Sequence, residues 1–328
     1  MPAGLSAAQI RSEIPISSIK KPTNRSRRVQ PGSPSGYAIT VSRFGGASRT
    51  ASSRRTPRFS GPGRLGSLAP SRSADLQSRC DLLRSLHRPG DPLLLPNVWD
   101  VATARAVATA GYPVIATTSW GVAGTLGYED HEGAPGDEML AAAARIARAV
   151  EPPVTVDAEA GYGMEPAELV AALRDAGAAG CNLEDTDHAA DSLRDPDRHA
   201  EWLRAVRQAA SETGYPLVIN ARVDVFLGPY LAGADPGTQD ELVPEALRRA
   251  NAYLEAGADC VYPIVLWESD ALRRFMSEVS GLVNVIRHPQ SPSLAELAAL
   301  GVTRVSWGPY LYRDAMARFE DQLASLQE

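Results

Sequence analysis

The chain has 328 residues, of which 44% are hydrophobic and 22% charged, with a formal net charge of −6. The charge is divided unevenly: residues 1–74 hold 13 of the 33 basic and one of the 39 acidic residues, so they carry +12 and residues 75–328 carry −18. No apolar run approaches the roughly 18 residues that span a bilayer, and the acidic body argues against a nucleic-acid or membrane partner.

Residues 1–74 are rich in Ser, Arg, Pro and Gly and follow no helical or strand period. Such a segment buries too little apolar surface to fold, so we expect a disordered extension followed by a catalytic domain over 75–328. The extension resembles an organelle transit peptide or an upstream stretch from a misassigned start codon; a nucleic-acid-binding tail is the third interpretation. The three cysteines lack CxxC or zinc spacing, which favours the reducing cytoplasm, with organelle targeting as the alternative.

The body alternates short apolar strands with Ala-rich amphipathic helices. After an extra helix over 75–88, the strands are predicted at 93–98, 114–119, 154–159, 180–185, 217–224, 260–265, 283–288 and 303–307. The helices are predicted at 101–110, 136–150, 166–176, 195–213, 241–256, 268–279, 293–299 and 310–326. This order predicts an α/β fold of the (β/α)8 TIM-barrel type. A doubly wound sheet is the alternative, but no Gly-rich phosphate fingerprint follows the first strand.

Carboxylates close two neighbouring strands of this barrel. Asp157 and Glu159 end the third strand, and Glu184 and Asp185 end the fourth. Strand C-termini form the catalytic face of a barrel, so these side chains are expected to meet there. Clustered carboxylates suit a hard divalent cation such as Mg²⁺; for either stretch alone, solvated loop acids are the alternative.

Other polar residues also fall at predicted strand ends. Arg222 ends the fifth strand and offers a planar fork to a substrate carboxylate or phosphate, although a salt bridge to neighbouring acids is its structural alternative. Thr118 and Ser119, with adjacent backbone N–H groups, could cradle an anionic oxygen. Asn97, near the end of the first predicted strand, is a candidate binding residue that also fits a turn.

Several motifs in chain order resemble the isocitrate lyase/phosphoenolpyruvate mutase superfamily. The match runs through about residues 90–315 and rests on the segments Asn97–Asp100, Thr118–Val122, Leu126–Asp130, Val156–Gly163, Leu183–Asp185 and Asn220–Asp224. The D-A-E-x-G-Y-G and L-E-D motifs are specific in combination. The resemblance implies a barrel whose eighth helix is exchanged with a neighbouring subunit, giving a homodimer or homotetramer.

The resemblance also implies the roles of individual residues. Mg²⁺, with Mn²⁺ as an alternative, is expected near Asp157, Glu159 and Glu184, partly through water. A 2-oxo acid would chelate that metal, and the segment Thr118–Ser119–Trp120 would offer N–H groups to its carboxylate or enolate oxygen. Arg222 would contact the substrate, and Asp130 would sit on a loop that moves over the site.

The loop after strand four departs from the superfamily pattern. The lyases carry Lys-Lys-Cys-Gly-His there and the phosphonate enzymes Lys-x-Asn-Ser, whereas this chain has Thr186–Asp195. Cys181 and Cys260 begin their strands and are predicted to be core residues. His188, just past Glu184, is therefore the candidate general acid or base, with an exposed loop histidine as the alternative.

Three functions remain open from the sequence. The favoured one is a Mg²⁺-dependent enzyme that acts on a small 2-oxo acid or related carboxylate and breaks or forms a C–C bond through a metal-stabilised enolate. Phosphonomutase or phosphonopyruvate hydrolase-like P–C chemistry is the second, with Arg194, Arg287 and His288 as sources of extra positive charge. A non-catalytic, metabolite-binding barrel is the third.

Overall fold

The structure is a computed structural model that describes residues 72–327. Its first helix, α1 (Arg72–Ser85), corresponds to the predicted extra helix, and the predicted extension up to residue 71 lies outside the described residues. None of the described helices is long and apolar enough to cross a membrane.

Parallel strands close into a barrel, which confirms the predicted fold. The strands are β1 (Leu93–Leu95), β2 (Asn97–Val98), β3 (Ile115–Thr117), β4 (Val154–Asp157), β5 (Gly180–Glu184), β8 (Val218–Val223), β9 (Cys260–Pro263), β10 (Asn284–Ile286) and β11 (Arg304–Ser306). β1 and β2 flank Pro96, which has no N–H for the ladder, and together occupy the first barrel position. β1 pairs with β11 and β2 with β3, while a bridge between Val261 and Val283 joins β9 to β10.

The predicted helices cover the outside of the barrel. They are α2 (Val101–Thr109), α4 (Gly136–Ala149), α5 (Pro166–Ala176), α6 (Pro196–Glu212), α8 (Gln239–Glu255), α9 (Ser269–Glu278), α10 (Leu294–Ala299) and α11 (Tyr310–Ser325). α5 ends at Gly177, whose φ of 78° is the left-handed conformation that glycine adopts without strain. The strands and helices of the structure thus begin and end within a few residues of the bounds predicted from the pattern of apolar residues.

Several short elements were not predicted, among them two helices and a hairpin. α3 (Ser119–Leu126) contains two glycines and no amphipathic period, and α7 (Leu227–Leu231) spans five residues. The loop that departs from the superfamily pattern folds as an antiparallel hairpin of β6 (Thr186–Asp187) and β7 (Ser192–Leu193). The hairpin turn carries His188 and brings it back over the end of β5.

The cysteines lie in the core, as predicted for two of them. Cys80, Cys181 and Cys260 are free and buried. Burial raises the pKa of each thiol to about 12, so the thiolate that a nucleophile requires is not formed near neutral pH. Buried thiols of this kind pack as small core side chains.

Candidate active site

Asp157, the last residue of β4, is held in a fixed orientation. The backbone N–H of Ser119 donates to Oδ2 at 3.0 Å, and Nδ2 of Asn182 donates to Oδ1 at 3.3 Å. Burial raises the pKa of this carboxyl, although the charge of Arg222 opposes the shift. Each oxygen retains a further lone pair, so the carboxylate is oriented and still able to accept a cation.

Glu159 follows two residues later in a strained backbone conformation. Its φ of 47° lies in the left-handed region, which is uncommon for a residue with a Cβ and tends to mark functional sites. Its side chain is buried; Oε1 accepts a hydrogen bond from the backbone N–H of Glu132, and Oε2 has no hydrogen-bond donor among residues 72–327. Burial raises the pKa of Glu159 to about 8. A cation at Oε2 would stabilise the buried, charged carboxylate.

Glu184, the last residue of β5, is contacted by a histidine and an arginine side chain. Nε2 of His188 lies 2.6 Å from its Oε1, and Nη1 of Arg222 contacts Oε2. Arg222 also forks onto Asp224, through Nε at 2.6 Å and Nη2 at 2.8 Å. Burial disfavours the charged guanidinium, but the charges of Asp224 and Glu184 hold the pKa of Arg222 above its usual value. The salt bridge that the sequence left as an alternative for Arg222 is therefore present.

The second acid of the L-E-D motif contacts helix α8. Asp185 is fully buried and accepts hydrogen bonds from the backbone N–H of Asp224 at 2.9 Å, the Tyr253 hydroxyl at 2.7 Å and Nη1 of Arg249 at 3.0 Å. Burial raises its pKa to about 6, while the hydrogen bonds and Arg249 oppose the shift. Asp185 thus holds the end of β8, and through it Asp224 and Arg222, in place.

Two loops cover the acids. The turn of the β6–β7 hairpin brings His188 to within 5.3 Å of His131, measured between ring centroids. His131 belongs to the loop over residues 127–135, which also carries Asp130. The Oδ1 atom of Asp130 is buried and has no hydrogen-bond donor in the described part of the chain. The sequence singled out Asp130 and His188 but missed His131, whose only signal was its place beside Asp130.

The remaining predicted binding residues fall into two groups. Thr118 precedes α3, and Ser119 and Trp120 begin it; the N–H of Ser119 is used by Asp157, and the Trp120 side chain is exposed. N–H groups in the first turn of a helix have no intrahelical acceptor, so those of Trp120 and Gly121 suit an anionic oxygen.

Asn97 has a different setting. Its Nδ2 donates to the carbonyl of Thr117, and its Oδ1 accepts from the N–H groups of Trp307 and Gly308, each at 2.8 Å. Its amide therefore ties together the ends of β2, β3 and β11. This buried bridge, rather than a turn or an open binding group, is the setting that the structure gives to Asn97.

The opposite half of the mouth is aromatic. The rings of Trp267 and His288 stack with centroids 4.2 Å apart, and Tyr230 meets Trp267 edge-on at 5.2 Å. Tyr310 joins them, 6.1 Å from His288. The guanidinium of Arg287 donates to the carbonyls of His288 and Ser291, both at 3.0 Å, and so is committed to its own loop.

The donor set fits a hard divalent cation that keeps part of its water shell. Within residues 72–327, no three carboxylate, histidine or cysteine side chains form a direct metal-binding group. Glu159 and Asp130 nevertheless each hold a buried oxygen without a protein donor. Mg²⁺ commonly binds through one or two carboxylates together with water and substrate oxygens. Asp157 and Glu159 would hold it here, with Glu184, already paired, beside them.

Comparisons with known proteins identify the family of the chain. The family model for phosphoenolpyruvate phosphomutase matches residues 83–327. An uncharacterized protein of Mycobacterium tuberculosis (strain H37Rv) is 34% identical over 227 residues, which are 69% of this chain and 81% of that protein. The 2-methylisocitrate lyase of Escherichia coli (strain K12) is 30% identical over 238 residues, 67% of this chain and 73% of that protein. A "putative phosphonomutase" from Burkholderia cenocepacia J2315 is 42% identical with a TM-score of 0.70, covering 75% of this chain and 99% of that chain.

Proposed function

Because the chain belongs to the isocitrate lyase/phosphoenolpyruvate mutase superfamily, we propose that it is a Mg²⁺-dependent lyase, with Mn²⁺ as the alternative metal. It breaks or forms a C–C bond in a small 2-oxo acid or related carboxylate. The observation that carries the proposal is the pair of oriented, buried carboxylates Asp157 and Glu159, of which Glu159 keeps an oxygen without a protein donor among the described residues.

The side chains around these acids divide the work. Bound Mg²⁺ supplies Lewis-acid polarisation of the substrate's oxo oxygen. The first-turn N–H groups of α3 receive the substrate carboxylate, and the Arg222 guanidinium stabilises negative charge that develops on the substrate. His188, whose Nε2 lies 2.6 Å from Oε1 of Glu184, acts as the general acid or base at the reacting carbon. Asp130 and His131, on the covering loop, exclude water.

The contacts that the arginines at the mouth already make support C–C over P–C chemistry. Arg287 is bound by its own loop carbonyls, and the guanidinium carbon of Arg194 lies 5.7 Å from the centre of the Trp202 ring. A phosphoryl group calls for cations that are free to meet it. Phosphonate chemistry stays the second candidate because the Burkholderia cenocepacia protein named as a phosphonomutase is 42% identical.

The exposed face of α11 supports a helix-exchanged homodimer or homotetramer. None of its residues is buried, and Met316, Phe319 and Leu323 recur at spacings of three and four, so they form one stripe along the helix. Their exposed fractions are 38%, 53% and 45%. An apolar stripe on a helix normally packs against protein. We infer that a second copy of this chain packs against the stripe.

A substrate screen tests the proposed function. The full chain with Mg²⁺ is incubated with 2-methylisocitrate, 2,3-dimethylmalate, oxaloacetate and phosphonopyruvate, and the products are followed by proton and phosphorus NMR. We expect C–C cleavage of a carboxylate, with turnover at least about a hundredfold lower in His188→Asn. Turnover of phosphonopyruvate alone would replace the lyase with the second candidate. Turnover of none of the four would contradict both.

A further inference from the structure

Three polar side chains lie inside the barrel beneath Asp157: Asn182 of β5, Asn220 of β8 and Arg304 of β11. We refer to them as the interior triad. Asp157, Asn182 and Asn220 are direct partners in register across three neighbouring strands. Oδ1 of Asn182 accepts from Nδ2 of Asn220 at 2.9 Å and from Nη2 of Arg304 at 3.1 Å.

These contacts determine which way the Asn182 amide faces. A guanidinium only donates hydrogen bonds, so the atom of Asn182 that faces Arg304 must be the carbonyl oxygen. The amide nitrogen then faces Asp157 and donates to Oδ1 at 3.3 Å. With the Ser119 N–H on Oδ2, both oxygens of Asp157 are fixed from within the protein. The free lone pairs therefore point in set directions.

The setting of Arg304 is costly for a structural residue. It is 2% exposed, and neither its Nε nor its Nη1 has a hydrogen-bond acceptor among residues 72–327. No carboxylate in the described part of the chain forms an ion pair with it; its one side-chain hydrogen bond goes to Asn182. An unpaired buried charge destabilises a fold, and an apolar side chain of similar volume would serve packing better. We therefore attribute the presence of Arg304 to its hydrogen bond with Asn182, which orients the Asn182 amide.

We propose that the interior triad is a positioning device that orients the Asp157 carboxylate for the divalent cation and so sets the affinity of the site for metal. The proposal rests on the metal-dependent function proposed above. Asn182 contacts Asp157 directly, and Asn220 and Arg304 contact Asn182. They act through hydrogen bonds that end on Asp157.

Metal binding without substrate tests the proposal. Mn²⁺ is titrated into the full chain, and the free ion is measured by electron paramagnetic resonance. Arg304→Met removes the donor and the buried charge, and Asn220→Leu removes the second donor to Asn182. Asn284→Leu is the matched control, because Asn284 is also a fully buried asparagine of the barrel but bonds Ser306 instead. Urea unfolding of each metal-free variant is measured in parallel.

We expect Arg304→Met to raise the Mn²⁺ dissociation constant at least tenfold while its unfolding midpoint stays the same or rises. We expect a smaller loss of affinity in Asn220→Leu and none in Asn284→Leu. Arg304→Lys, which keeps one donor, should recover part of the affinity. A merely structural residue would not weaken metal binding while leaving stability intact.

Two results would overturn the proposal separately. If the natural protein binds Mn²⁺ and both Arg304→Met and Asn220→Leu bind it equally well, the interior triad does not position Asp157. If the natural protein binds no Mn²⁺, the metal-dependent function fails and this proposal with it. Should Arg304→Met fail to fold, the comparison of Asn220→Leu with Asn284→Leu decides.

Discussion

The backbone N–H of Glu132 donates a hydrogen bond to Oε1 of Glu159 at 2.6 Å. The Glu132 carboxylate accepts one from the N–H of Tyr162, so the covering loop is attached to the site twice. Both glutamates have positive φ values, 57° and 47°. The hydrogen bond between Glu132 and Glu159 therefore links the position of the loop to the protonation of the Glu159 carboxylate.

Removing the Glu132 side chain should loosen the covering loop. In Glu132→Ala the Tyr162 N–H loses its acceptor, and we expect backbone amides of residues 127–135 to exchange with deuterium several-fold faster, since local opening becomes easier. Glu129→Ala is the matched control, because Glu129 is an exposed residue of the same loop. Equal exchange in the two variants would show that the attachment does not hold the loop.

Metal-free protein should lose stability as the pH rises. The pKa of Glu159 is raised from 4.5 to about 8 in the fold, so its contribution is complete below pH 4.5 and is lost as the pH approaches 8. The slope from this one group is at most about 1.4 kcal/mol per pH unit. Glu159→Gln keeps the acceptor for Glu132 and removes the titration. The free energy of unfolding, measured with urea in EDTA, should therefore fall less steeply between pH 5 and 8 in the variant than in the natural protein. Parallel plots of this free energy against pH would contradict the role assigned to Glu159.

Loss of Arg222 should be severe because it leaves two carboxylates buried without their partner. Glu184 and Asp224 are each at most 2% exposed, and breaking such a buried ion pair costs about 3–5 kcal/mol. We expect that loss in the free energy of unfolding of Arg222→Met. The control is Arg248→Met, because Arg248 pairs with Glu245 on the surface, where an ion pair contributes about 1 kcal/mol or less. Similar losses in both variants would refute the buried pairing.

The sequence predicted the barrel and the acids at its mouth because both depend on local patterns. Alternating apolar runs mark the strands, and Asp157 and Glu184 follow such runs directly. It did not predict that Asp185 would pair with helix α8, because Arg249 and Tyr253 lie more than 60 residues away in the chain.

The bridging role of Asn97 could not be predicted from the sequence either, because its partners Trp307 and Gly308 lie about 210 residues further along the chain. The first turn of α3 was missed on other grounds. Its glycines hide the helical period, and only the folded barrel brings the Ser119 N–H to Asp157. Long-range closure of the barrel, rather than local propensity, decided these contacts.

The apolar stripe of α11 should determine the oligomeric state. Phe319→Glu places a charge in the middle of the stripe, so we expect the assembly to dissociate to monomers in light scattering after size-exclusion chromatography. Arg318→Glu changes the charge at the adjacent exposed position and should leave the assembly intact. A monomeric natural protein, or an unchanged mass in Phe319→Glu, would contradict the helix exchange.

We propose above all that Asp157 holds a divalent cation onto which a 2-oxo-acid fragment binds. It is tested most directly by the thermal unfolding of the natural protein and of Asp157→Asn with Mg²⁺ alone, oxalate alone and both together. Ligands that bind the folded state raise its melting temperature by mass action. We expect a large increase only when both are present, and none in Asp157→Asn. An equal increase in the variant, or no increase in the natural protein, would contradict it.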